Sequence, residues 1–155
     1  CLEKREESLD AMRQAYEEAP DNPTVIFDYA LILLKMEINL DEADRLLEAV
    51  EAQPLSDLLQ MLLPFGHGLQ QLNHKRYVEA RDLLIESRRC LMPMAALPLV
   101  QMFLDFNAAY LAIASARCGD LPTALKFYRP AKKRLEAMGY TMLLARLNEA
   151  LQGYV

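Results

Sequence analysis

Catalysis or metal binding needs nucleophiles, bases or ligands at workable spacing, and this chain of 155 residues holds few of them. Its two histidines, His67 and His74, stand seven positions apart. On one continuous helix they would share a face two turns apart, about 10.5 Å along the axis, too far to bind one metal ion directly. His67 reads as a packed polar residue near a helix crossing and His74 as a turn residue before Tyr77. The four serines, Ser8, Ser56, Ser87 and Ser115, form no recognisable nucleophile motif, and none of the five glycines lies in a phosphate-cradling loop. Cys1, Cys90 and Cys118 are an odd, scattered set, with no pair at the short spacing of metal or redox sites. Cys90 and Cys118 read as buried thiols acting as small hydrophobes. The expectation is therefore a protein that is not an enzyme, with no catalytic residue, metal or cofactor, kept in a reducing compartment such as the cytoplasm. The chain begins at Cys1, without an initiator Met or signal peptide, which suggests a piece of a longer protein; a lipid-anchored Cys1 is the minor alternative.

Charge offers a second kind of chemistry. Residues 1–60 hold fifteen acids against five bases, whereas 61–155 hold seven acids against twelve bases, with a net charge of −5 overall. The basic run Lys126, Arg129, Lys132, Lys133 and Arg134 is the strongest local feature. On a helix Arg129, Lys132 and Lys133 fall along one side, suited to an acidic peptide or a phosphate, or else a solvated face. No aromatic interleaving accompanies it and the chain is acidic, so no nucleic-acid partner is expected.

The elements that must position these residues are helices. Apolar residues make up 53% of the chain, Gly and Pro are sparse, and good helix formers dominate. Periodicity and stop signals predict about eight helices, near 2–18, 23–37, 40–52, 55–72, 76–91, 97–118, 121–138 and 141–152. Asn39, Ser56 and Thr141 sit where capping oxygens are wanted, and Pro64 and Pro130 should bend or break their helices. The stretch from Ala95 to Ala116 carries one charge, Asp105. An aspartate near the centre of a membrane span costs about 3 kcal/mol, so a buried helix is expected rather than a span.

Small and apolar residues recur in register: Ser8, Met12, Ala15; Ala43, Leu47, Val50; Ala80, Leu84, Ser87; and Ala124, Tyr128, Ala131, with the first members 35, 37 and 44 positions apart. Two further features accompany them: Pro20-Asp21-Asn22 followed by Pro23, and Gly119-Asp120 before Ala124. With the large-small pairs Tyr29-Ala30 and Leu111-Ala112, the pattern resembles the tetratricopeptide repeat (TPR) family. Departures are the lack of Trp, an extra residue around Met36-Glu37-Ile38, Gly66-His67-Gly68 in place of a large-small pair, and a last repeat stretched by roughly ten residues. The resemblance implies a single all-α domain over 1–155, a right-handed superhelical stack of antiparallel helix pairs (a TPR-like α-solenoid). Residues 1–20 would be the second helix of an incomplete repeat, 23–54, 55–91 and 97–138 three repeats, and 141–152 a capping helix.

It also implies a concave groove lined by first helices. That face maps to Thr24, Phe27, Leu31, Leu34 and Lys35, to Leu69 and Leu72, and to Phe106, Ala109, Ile113, Ala116 and Arg117. Such a surface suits an amphipathic or extended peptide, unless neighbouring helices cover these residues. Phe27, Leu31, Ala109 and Ile113 stand where some relatives place a polar clamp for a C-terminal carboxylate, so that mode is not expected. The function expected is a non-catalytic protein-protein interaction scaffold holding a protein or peptide. Two other readings stand beside it: a regulatory or sensory segment of a larger signalling or transcription protein, and a self-assembly module in which an unpaired first helix docks on a second copy as a homodimer.

Overall fold

The computed structural model describes the backbone from Leu2 to Val155 and side chains from Lys4 onward; Cys1, with its lipid-anchor expectation, lies outside the described residues. Among the described residues there are eight α-helices and no strand: α1 (Leu2–Glu18), α2 (Pro23–Met36), α3 (Leu40–Glu51), α4 (Asp57–Asn73), α5 (Tyr77–Leu91), α6 (Pro98–Arg117), α7 (Leu121–Met138) and α8 (Thr141–Ala150). A single 3-10 turn at Met92–Met94 leads from α5 towards α6. The chain is thus all-α, as its periodicity predicts.

Helix starts follow from side-chain oxygens that satisfy otherwise unpaired N–H groups. Asn22 accepts from the backbone N–H groups of Thr24 and Val25, Ser56 from that of Leu59, and Asp120 from that of Thr123. Two expected caps are corrected. Asn39 makes no side-chain cap and adopts a left-handed conformation with φ 48°, while Thr141 is already the first helical residue. Pro64 and Pro130 break nothing. Each lies inside a continuous helix, and the lost bond to the carbonyl four residues earlier is tolerated where neighbouring helices hold the segment.

Four helix ends share one closure. A left-handed residue, Glu37, Lys75, Gly119 or Gly139, follows the helix, and the next N–H donates to a carbonyl five positions back: Ile38 to Leu33, Arg76 to Gln71, Asp120 to Ser115 and Tyr140 to Leu135, at 2.8–3.1 Å. This reversal satisfies orphan carbonyls and turns the chain sharply. It joins α2 to α3, α4 to α5, α6 to α7 and α7 to α8.

Packing follows the same order. The pairs α2/α3, α4/α5 and α6/α7 are in extensive contact, α4 also touches α2 and α3, α6 touches α5 and α4, and α8 lies on α6 and α7. Small residues allow these approaches: Ala30, Ala43, Ala80, Ala112 and Ala124 are fully buried. Gly66 and Gly68 complete the set. A Cβ at Gly66 would stand 2.9 Å from the Phe27 ring, and one at Gly68 would stand 2.8 Å from Leu84. The large member of each of these two contacts lies on a partner helix, Phe27 on α2 and Leu84 on α5.

The core runs through α6, whose length and apolarity would suffice to cross a membrane but which is largely buried by its neighbours. Phe65 of α4, wholly buried, meets Phe103 edge-on at 5.3 Å and Tyr110 at 6.2 Å. Burial of one such ring is worth about 1.5–3 kcal/mol.

Candidate functional site

The expected groove residues are placed differently from the expectation. Phe27, Leu31 and Leu34 on α2, Leu69 and Leu72 on α4, and Phe106, Ala109 and Ile113 on α6 are all buried, none more than 5% exposed. They pack between helices and offer no apolar floor to a peptide. Thr24 is exposed at the start of α2 and Ala116 is half-buried. Lys35 is folded inward, its ammonium 4.4 Å from the centre of the Phe106 ring. Arg117 is exposed and pairs with Glu149 at 3.4 Å.

Side chains around α8 lie over α6 and the end of α2. Tyr140, just before α8, stacks edge-on against Phe106 at 4.8 Å. Arg146 of α8 lies over Tyr110 and pairs with Glu37, the residue that closes α2, at 2.8 Å. The Arg5 guanidinium of α1 reaches the Met142 sulfur. The first helix lies against α2. Leu9 is buried, Met12 packs against the core, and Tyr16 lies 5.3 Å from Tyr29 of α2, leaving its other faces mainly to charged and polar side chains.

A recess lies instead on the face made by α5, α6 and α7. It encloses about 390 Å³ and is lined by apolar groups of Met92, Ala95, Leu104, Phe127 and Pro130 together with Arg88, Lys126, Arg134 and Asp105. Asp105, the lone charge of the long apolar stretch, is buried, and a buried carboxyl group needs polar partners. Arg134 of α7 supplies them, donating from Nε at 3.0 Å and Nη2 at 2.7 Å to Oδ2, while Gln101 donates to Oδ1 at 3.0 Å. The carboxylate holds the Arg134 guanidinium above its usual pKa.

Arg88 is fixed from the other wall. Its Nη1 donates to the Leu104 carbonyl at 3.1 Å and to Asn107 Oδ1 at 3.5 Å, and its guanidinium lies 4.8 Å from the Phe127 ring centre. Asn107, fully buried, in turn donates to the Leu84 carbonyl at 2.9 Å, tying α6 to α5. Burial lowers the Arg88 pKa, and Asp105 opposes the shift. Lys126 leans over the same ring at 5.4 Å. Three cationic groups thus surround an apolar floor against one carboxylate that is already engaged.

The basic run divides between this recess and open surface. Lys126 forms its lip, Arg129 and Lys133 are exposed along α7, and Lys132 turns aside to lie 5.9 Å from the Tyr128 ring. None of these four is ion-paired among the described residues. Arg88, Phe127 and Asp105 were not among the expected site residues. The one signal for them was Asp105 itself, a charge in an otherwise apolar helix that demanded a basic partner elsewhere.

The histidines join a separate polar chain between α3 and α4. His67 bonds Glu51 and Gln70, both at 2.9 Å, Gln70 donates to Asp44 at 2.8 Å, and His74 meets the other Asp44 oxygen at 2.8 Å. No cluster of three or more metal-ligating side chains occurs among the described residues. No protein-family model, curated protein or solved structure matches the chain.

Proposed function

We propose that this chain is a non-catalytic protein-interaction module, built as a TPR-like right-handed stack of antiparallel helix pairs, whose partner docks on the α5–α6 edge. The repeated left-handed closure at α2/α3, α4/α5 and α6/α7 supports the stacked-pair architecture. The observation that carries the function is a run of large apolar side chains left in solvent: Met92 (52%), Leu97 (47%), Leu99 (47%) and Met102 (37%) are all exposed within eleven residues. Apolar side chains scattered singly are ordinary, whereas a concentration of them beside a recess marks an interaction surface.

A photo-crosslinking residue at position 99 tests this reading. The captured protein is identified, purified and titrated against the purified chain. Leu99→Glu with Met102→Glu is expected to weaken the reconstituted complex by about tenfold or more while the thermal transition stays in place. Unchanged affinity of the double variant, or labelling no stronger than from a crosslinker at exposed Leu125, counts against it.

A further inference from the structure

We propose that the recess between α5 and α7 reads an acidic side chain flanked by an apolar one, carried on a peptide segment of the protein partner. The proposal rests on the interaction reading above and names the chemistry of its partner. Arg88 and Arg134 are held in place by α6, through the Leu104 carbonyl and the Asp105 carboxylate, so their charge is positioned before any ligand arrives. Preorganised donors of this kind lose little freedom on binding. Lys126 is exposed and has no acidic partner among the described residues, so it is available to an incoming carboxylate.

The floor sets the second half of the preference. Phe127, Met92 and Pro130 are apolar, and the Phe127 ring is already faced by two cations. An aliphatic or aromatic neighbour of the acidic residue would fill that floor while the carboxylate meets Lys126 and the outer edge of Arg88. The exposed Arg129 and Lys133 extend the positive surface along α7, suiting a segment longer than one residue. With a net charge of −5, the rest of the chain repels polyanions, so this face is selective rather than generally sticky.

A short fluorescein-labelled peptide alternating Asp or Glu with Leu or Phe tests the proposal, beside its Asn/Gln counterpart, by anisotropy against the whole chain. The acidic peptide is expected to bind at about 20 mM salt and to weaken markedly at about 200 mM. The amide peptide, and the acidic peptide against Lys126→Glu, should each bind about tenfold more weakly. Equal binding of both peptides, or full binding by Lys126→Glu, overturns the proposal. So does tighter binding of single-stranded DNA, or salt-dependent self-association with no peptide binding, which would make a second copy the occupant. If the peptides fail while crosslinking through position 99 still captures a partner, the recess proposal falls and the interaction reading stands.

Discussion

A hydroxyl sealed from water with no partner costs about 1–3 kcal/mol, and Ser87 and Ser115 are two such groups, both fully buried. Their small size is what the helix crossings require; the oxygen adds nothing to that. Ser115→Ala is accordingly expected to raise stability by about 1 kcal/mol, read as a higher urea midpoint at unchanged slope. A lowered midpoint would mean that the hydroxyl has a partner after all. A different tension sits on α2, where burial raises the Asp28 pKa and lowers that of Lys35, each group partly offsetting the other's shift. A raised carboxyl takes up its proton more readily folded than unfolded, so folding gains stability as pH falls through that raised value. Lys35 works in the opposite sense, its penalty present below its lowered pKa and relieved as pH rises through it. Lys35→Met removes the charge that restrains Asp28, so the variant should gain stability relative to the unaltered chain between neutral and mildly acidic pH. Urea titrations at both pH values measure this, and parallel behaviour of the two proteins would argue that Asp28 is hydrated.

Among the elements, the closing turns hold the most strain. Lys75 takes a left-handed φ of 59° between α4 and α5, where Gly119 takes the same role between α6 and α7. An L-residue there costs about 1 kcal/mol that glycine avoids, so Lys75→Gly should raise the melting temperature by a few degrees in calorimetry. A fall would show that the lysine side chain contributes something its exposed position does not suggest. The helices themselves were legible in the sequence to within a residue or two, because apolar periodicity and caps such as Ser56 act locally. The turns were legible only where glycine marks them. Glu37 and Lys75 give no such sign, since their conformation is imposed by the helices on either side. Gly66 and Gly68 were visible as departures from a pattern, yet their meaning depended on Phe27 and Leu84, residues 39 and 16 positions away.

At the scale of the whole molecule, most of the residues that could line a groove are buried between helices. Phe27 and Leu31 lie on α2, Phe106 and Ile113 on α6, and whether such a face stays open depends on how the neighbouring helices lie across it. That arrangement is summed from many small contacts between helices distant in sequence, and no local pattern records it. The recess on α5–α7 was hidden for a related reason: Arg88, Asp105 and Arg134 come together from three helices, and only Asp105 stood out beforehand. The uneven charge along the chain was plain from the start. The structure turns part of it into a pairing between early and late residues, with Glu37 held by Arg146.

That pairing has a bearing on how the molecule comes apart. A linear array whose units touch only their neighbours can fray from either tip, losing one unit at a time at little cost to the rest. Here a guanidinium from the last helix grips a carboxylate at the close of the second, and Tyr140 is wedged against the middle. These contacts add to what α8 must give up if it frays from α6 and α7.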